Sequence, residues 1–310
     1  MMLVFLFPGQ GSQYVGMGKA ALEASPRAEE VFRVAEEITG LPLRKLCLEG
    51  PLSELTRTYH LQPALTSVNL AVYEAIRERG IEPEIVAGHS LGEYSALYAA
   101  GVVSLEDVFR LVLKRGELME REAERHPGAM YAVIGLSRSV LEEIVHEASQ
   151  KGIVALANHN SPEQIVITGE EEATSLAAEL AKKKKARVVR LKVSGAYHSP
   201  LMAEAARDFA AFLEEIPFHP PKKTIFFNVS ASSTADPTEI KTLMGKQIES
   251  PVRWVEEVEN IYQAGGRTFL EIGPKNVLTN LVKKILKGKD VHLAAIEDPQ
   301  MIDSALQGGS

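Results

Sequence analysis

The chain has 310 residues, of which 45% are hydrophobic and 24% charged, and its formal net charge is -7. That is the balance of an ordinary globular protein, long enough for one large core or two unequal ones; it excludes disorder and the broad basic face of a general nucleic-acid binder. A lone Cys47 leaves no internal disulfide and no cysteine-based metal framework, which points to the cytoplasm.

In chain order, the apolar opening "MMLVFLF" is about one strand long, with a strand expected over Leu3 to Phe7. It runs into Pro8-Gly9 without a basic leader, so neither a signal peptide nor a membrane span is expected. The Gly-rich "FPGQGSQYVGMG" that follows fails as a dinucleotide fingerprint, because the third glycine position counted from Gly9 holds Tyr14. No Walker A lysine is present either. Such a turn can instead bring the Gln10 amide to the carboxyl edge of a sheet.

A second strand is expected over Ile85 to Gly88 and a helix over Leu91 to Ala100, joined through Gly88-His89-Ser90-Leu91-Gly92. In a G-x-S-x-G elbow the serine sits on strained backbone, the glycines let neighbouring chain pass, and the hydroxyl points out at a helix N-terminus. The amides of Leu91 and Gln10 could then form an oxyanion hole. A tight turn with a serine N-cap accounts for the same residues without chemistry, so the elbow needs partners.

The helix after the Ser104 cap carries an apolar stripe, Val108, Leu111, Val112, Leu118 and Met119, with Arg115 in the place of its missing member. A guanidinium facing the interior demands an anionic partner. Two partners stay open: an internal Asp or Glu, or a substrate carboxylate held in bidentate fashion.

From Met130 the rhythm changes. Strand (Met130 to Ile134), helix opened by a Ser139-to-Glu142 capping box, strand (Ile153 to Ala157), strand (Gln164 to Thr168), helix (Glu171 to Lys183) and strand (Arg187 to Val193) give the order β-α-β-β-α-β of a ferredoxin-like unit. Further strands are expected over Thr224 to Val229, Thr268 to Ile272 and Val291 to Ala295, and the tail "MIDSALQGGS" should fray. The fold class is therefore α/β: a large α/β-hydrolase-like domain with a mostly parallel sheet, 1–127 and 195–310, interrupted by a small ferredoxin-like domain, 128–194. The cleft between the two is the expected site.

A serine nucleophile needs a base, and eight histidines are on offer. His198, in "VSGAYHSPLM", falls where the chain returns from the small domain to the large one, at the mouth of that cleft. A structural histidine there is the alternative. The run Lys182 to Lys185 reads either as a solvated helix end complementing the macrodipole or as a landing patch for an acidic partner.

At this point a resemblance becomes specific. "FPGQGSQ", "GHSLGEYSAL", "LKRGELM", "GAM", "NHNSPEQIVITG", "GAYHSPLM", "QIESPVRW" and "EIGPKNVLT" stand in the order and spacing of malonyl-CoA:acyl carrier protein transacylases, across essentially the whole chain. The resemblance implies Ser90 as acylated nucleophile, His198 as its base and Arg115 as binder of the malonyl carboxylate, with Gln10 and Leu91 lining the oxyanion hole. It implies a Ser-His dyad whose histidine is oriented by the backbone carbonyl of Gln247. Asn158 and Asn160 match a loop bordering the cleft, Gln62 a residue near the acyl pocket, and Tyr197 an aromatic that accompanies malonyl use. Its partners are malonyl-CoA and an acidic acyl carrier protein; no metal or cofactor is implied, and a cytoplasmic monomer is expected. One departure is Lys275, where the family usually has glycine. A serine thioester hydrolase and a non-catalytic carrier-binding module remain as rivals.

Overall fold

The apolar opening forms β1 (Met2–Phe7), and a run of helices separates it from β2 (Ile85–Gly88); the computed structural model describes residues 2–307. The chain continues through β3 (Gly128–Ile134), β4 (Val154–Ser161), β5 (Gln164–Glu170) and β6 (Arg187–Arg190). It ends with β7 (Thr224–Phe227), β8 (Ser232–Ser233), β9 (Gly266–Ile272) and β10 (His292–Ile296).

The larger sheet has the order β10-β9-β1-β2-β7-β8 and is parallel except for the β7–β8 pair. Parallel strands are covered on both faces, which is why β1 and β2 are apolar at successive positions rather than alternating. Phe5, Phe7 and Val86 enter one core with the helices Thr58–Arg77 and Leu105–Arg125, while Val4, Leu6, Ile85 and Ala87 enter a second with Trp254, Val258 and Leu281. The register pairs Phe7 with Gly88, so the two central strands end level. The turns that follow them, carrying Gln10 and Ser90, therefore leave the sheet at the same carboxyl edge.

The smaller sheet, β4-β5-β3-β6, is antiparallel throughout. Its helices Arg138–Ala148 and Glu171–Lys183 lie over one face with Val133, Ile165 and Ile167. The opposite face, with Met130, Ala132, Ala157 and Val166, merges into the main core. This is the ferredoxin-like strand arrangement. The small sheet is thus sandwiched between its own helices and the larger body.

Several local expectations need correction. The cap of the first of these helices is Ser137, whose Oγ accepts from the Val140 amide; the Ser139-to-Glu142 box does not form, because the helix begins at Arg138 and Ser139 lies inside it, and Glu142 pairs with Arg138 at 2.8 Å. Strand β6 ends at Arg190; one more backbone bond follows, from the Leu191 amide to the Met130 carbonyl at 2.9 Å, and Leu191 and Val193 then line a cavity. In the tail, Ile302–Leu306 is a helix anchored by buried Ile302, and 308–310 lie outside the described residues. Lys275 keeps the turn a glycine would make, at φ 66°, and its Nζ donates to the carbonyls of Gly11 and Gln13. Those two contacts help to offset the strain of a side chain in left-handed backbone.

Candidate active site

The elbow is built from close approaches. A Cβ on Gly88 would run into the backbone of Gly92, one on Gly92 into the Phe7 carbonyl, and one on Gly9 into the His89 carbonyl. The glycines thus allow contact between β1, β2 and the helix Gly92–Ala99, and the left-handed residue is Ser90 itself, at φ 51°. That strain is held by Asn228, whose Oδ1 accepts from the Ser90 amide at 2.7 Å and whose Nδ2 donates to the Gly88 carbonyl at 2.8 Å. The amides of Leu91 and Gln10 have no protein partner among the described residues. Both residues line the cavity in front of Ser90.

His198 Nε2 lies 2.8 Å from Ser90 Oγ. Its Nδ1 faces the carbonyls of Ser250 at 2.9 Å and Gln247 at 3.1 Å. Carbonyls only accept, so Nδ1 carries the proton and Nε2 is left with a lone pair for the serine hydroxyl. Burial, reinforced by the Arg115 charge, pulls the imidazole down from 6.5 to about 3, so the ring is neutral in the neutral range. Among the described residues no other histidine bonds to Ser90: His89 Nε2 is bound to Asn160 Oδ1 at 2.7 Å and packs edge-on against Trp254.

Arg115, 1% exposed, sits on the helix Leu105–Arg125 capped by Ser104. Its Nη2 donates to Ser90 Oγ at 3.2 Å and to Gln247 Oε1 at 2.9 Å, its Nε to the same Oε1 at 3.2 Å, and its Nη1 to Gln62 Oε1 at 2.9 Å. Its Cζ lies 5.3 Å from the centre of the Tyr94 ring. Among the described residues no carboxylate forms an ion pair with it, which removes a direct internal Asp or Glu partner. Gln62 touches Arg115 and Met119 and does not line the cavity.

The cavity itself, about 140 Å³, is lined by Gln10, Ser90, Arg115, Tyr197 and His198 from the larger body and by Met130, Asn158, Asn160 and Val166 from the small sheet. It admits a short acyl group, not a nucleotide. The Tyr197 hydroxyl is pinned by Thr58 Oγ1 at 2.7 Å and Ser194 Oγ at 3.1 Å, which fixes the ring against the cavity wall. A roomier cavity of about 350 Å³, with Arg57, Glu120 and Lys192, adjoins it and shares Gln10 and Val193. A third, of about 520 Å³, between the helices Ala203–Leu213 and Pro237–Lys246, is lined by neither serine nor histidine.

Sequence reasoning missed Asn228, the Ser250 carbonyl and buried Glu93. Glu93 left one signal: it is the acidic residue of an otherwise apolar and small helix, Gly92–Ala99. A neutral nitrogen base on a serine, a guanidinium on the same oxygen and two unused amides together suit acyl transfer through a serine ester.

Residues 4–302 match the family model described as the acyl transferase domain. The chain is 42% identical, over 98% of its own length and 96% of the relative's, to a protein of Bacillus subtilis (strain 168) named malonyl CoA-acyl carrier protein transacylase. Among solved structures it resembles an acyl carrier protein S-malonyltransferase from Vibrio cholerae, with TM-score 0.94, 38% identity and coverage of 98% and 99% of the two chains. A second, also at TM-score 0.94 and 38% identity with 99% of each chain covered, is a malonyl-transacylase in complex with its type II polyketide synthase acyl carrier protein.

Proposed function

The chain belongs to the acyl transferase domain family, and from that premise we propose that it carries the malonyl group of malonyl-CoA to the phosphopantetheine thiol of acyl carrier protein through a malonyl ester of Ser90. The observation that carries this reading is the convergence of His198 Nε2 and Arg115 Nη2 on one oxygen, Ser90 Oγ.

His198 takes the Ser90 proton as Oγ bonds to the thioester carbon. The amides of Leu91 and Gln10 hold the tetrahedral oxyanion, and the carbon–sulfur bond breaks as His198 returns the proton to the departing CoA sulfur. The carrier thiol then enters from the adjoining cavity, gives its proton to His198 and attacks the malonyl ester, and Ser90 leaves with that proton. The carbonyls of Ser250 and Gln247 orient His198 throughout, in place of a triad acid. The malonyl carboxylate occupies Arg115, while Tyr197 and Leu91 crowd the carbon beside the thioester. Asn158 and Asn160 border the acyl group; Gln62 acts on it only through Arg115.

Three finer readings accompany this. The domain boundary falls at 127/128 and 194/195, supported by an antiparallel bridge between Pro127 and Gly195 where the two crossings lie side by side. The exposed Lys182 to Lys185, at the end of the helix Glu171–Lys183, help to dock the acidic carrier. The protein works as a cytoplasmic monomer: every group of the mechanism comes from one chain, and no helix among the described residues is long and apolar enough to cross a membrane.

The test is to mix the protein with malonyl-CoA with and without the phosphopantetheinylated carrier and follow products by mass. Malonyl-carrier formation, with an acyl-enzyme that persists in the carrier's absence, is expected. Steady release of free malonate would identify a hydrolase, and absence of any adduct a binding module.

A further inference from the structure

Beneath Arg115 lies a buried acid that the mechanism above does not use. Glu93 is 1% exposed, and its Oε1 accepts from the Asn228 amide at 2.9 Å, while its Oε2 accepts from Gln247 Nε2. The same Nε2 donates to the Ser90 carbonyl at 2.9 Å. The other end of that amide, Oε1, takes two bonds from Arg115. A guanidinium only donates and a carboxylate only accepts, so the Gln247 amide has one possible orientation between them.

Two opposite buried charges so close to each other would gain most by pairing directly, yet here a neutral side chain separates them. The consequence falls on the guanidinium. Gln247 takes its Nε/Nη2 edge and Gln62 its Nη1, while Nη2 also reaches Ser90 Oγ, where an acyl group would be attached. A direct carboxylate partner would compete with an incoming carboxylate for the same donors. An uncompensated guanidinium would carry the full cost of a buried charge.

We propose that Glu93 is a positioning residue for carboxylate recognition, and that Gln247 is the neutral spacer through which it holds Arg115 in place without pairing with it. The proposal rests on Arg115 being the partner of the malonyl carboxylate. Asn228 ties the device to the nucleophile, since it binds Glu93, the Ser90 amide and, through Nδ2 at 2.9 Å, buried Glu257. Burial pushes Glu93 up to about 7, against the pull of Gln247, Asn228 and Arg115. Burial, with the Glu93 charge nearby, also raises Glu257 well above its ordinary carboxylate value.

The test is steady-state acylation at pH 8 with malonyl-CoA and acetyl-CoA. For Glu93→Gln, the malonyl-over-acetyl ratio of kcat/KM should fall by about tenfold or more, carried by KM for malonyl-CoA, with acetyl values moving less than about threefold. The exchange variant, Glu93→Gln with Gln247→Glu, keeps composition and volume but puts the carboxylate in direct contact with Arg115. It should raise the malonyl KM further still. A ratio within about twofold of the starting protein in both variants would overturn the proposal, as would equal losses for both substrates, which mark a merely structural role. Arg115→Ala serves as the control: if it keeps the ratio, the carboxylate-clamp reading itself fails, whereas loss of the ratio there but not in the other two defeats only the role of Glu93.

Discussion

At the carboxyl edge of the parallel sheet two neighbouring strands end level, at Phe7 and Gly88, and the turns beyond them carry Gln10, Ser90 and Leu91. The antiparallel sheet borders the same cavity with Met130, Asn158, Asn160 and Val166, and among the described residues none of these bonds to Ser90 Oγ. The difference follows from strand direction. Parallel strands send every carboxyl end to one edge, where loops converge and amides point outward, whereas antiparallel neighbours send alternate ends to opposite edges. The first arrangement assembles reacting groups, and the second supplies a wall.

If that division holds, substitutions in the large body should alter the chemistry and the recognition of the acyl carboxylate, and those on the exposed outer surface of the small one, away from the cavity wall, should alter only encounter with the partner. His198→Ala should reduce both half-reactions by roughly 10²- to 10⁴-fold, read by rapid quench of acylation and of transfer. Normal acylation in that variant would mean a different base. Because His198 is held well below 6.5, the acid limb of acylation, followed with acetyl-CoA, should fall below pH 6; an inflection at or above 6.5 would place an ordinary exposed imidazole in the role. In stability the sign is that of a depressed histidine: the unfolded chain takes up the proton first, so this group's contribution to stability falls as pH drops below 6.5.

Arg115→Ala should collapse malonyl transfer and erase or invert the preference over acetyl, since acetyl lacks the carboxylate. Competition between the two CoA esters measures it. Tyr197→Ser should act less, relaxing only the exclusion of methylmalonyl, because one methyl against a fixed ring is worth about 1 to 3 kcal/mol. Equal exclusion after Tyr197→Ser would move the discriminating contact elsewhere. Smallest of all, changing Lys182 to Lys185 to glutamine should raise KM for the carrier a fewfold at low salt and leave acylation from CoA untouched. A changed acylation rate would break the comparison, because the antiparallel part would then be acting on the chemistry.

The elbow was legible because all its requirements are local: glycines for close approach, an apolar strand before and a helix after. Arg115 was legible as a gap in a helical stripe. The parallel core was legible from uninterrupted apolar runs, and the small sheet from its changed rhythm. What escaped depends on contacts between distant segments. Nothing in "TIFFNVS" says that Asn228 will reach the Ser90 amide, 138 positions away, and nothing in "QIES" says that the Ser250 carbonyl will share His198 with that of Gln247. The resemblance placed Gln62 near the acyl pocket; it did not say that Gln62 would stand behind the wall and bond to the guanidinium that lines it. The helix cap went to Ser137 rather than Ser139: two serines two positions apart both suit a cap, and the helix begins at the earlier one.

The central claim is that Ser90 carries the malonyl group between CoA and carrier. Rapid quench after mixing with malonyl-CoA, followed by proteolysis and mass spectrometry of the peptides, reads it directly. The account predicts one malonyl increment on the peptide containing Ser90, discharged on adding the phosphopantetheinylated carrier and absent in Ser90→Ala, which should fold normally. A malonyl group mapped to any other residue, or one that persists in Ser90→Ala, would contradict it.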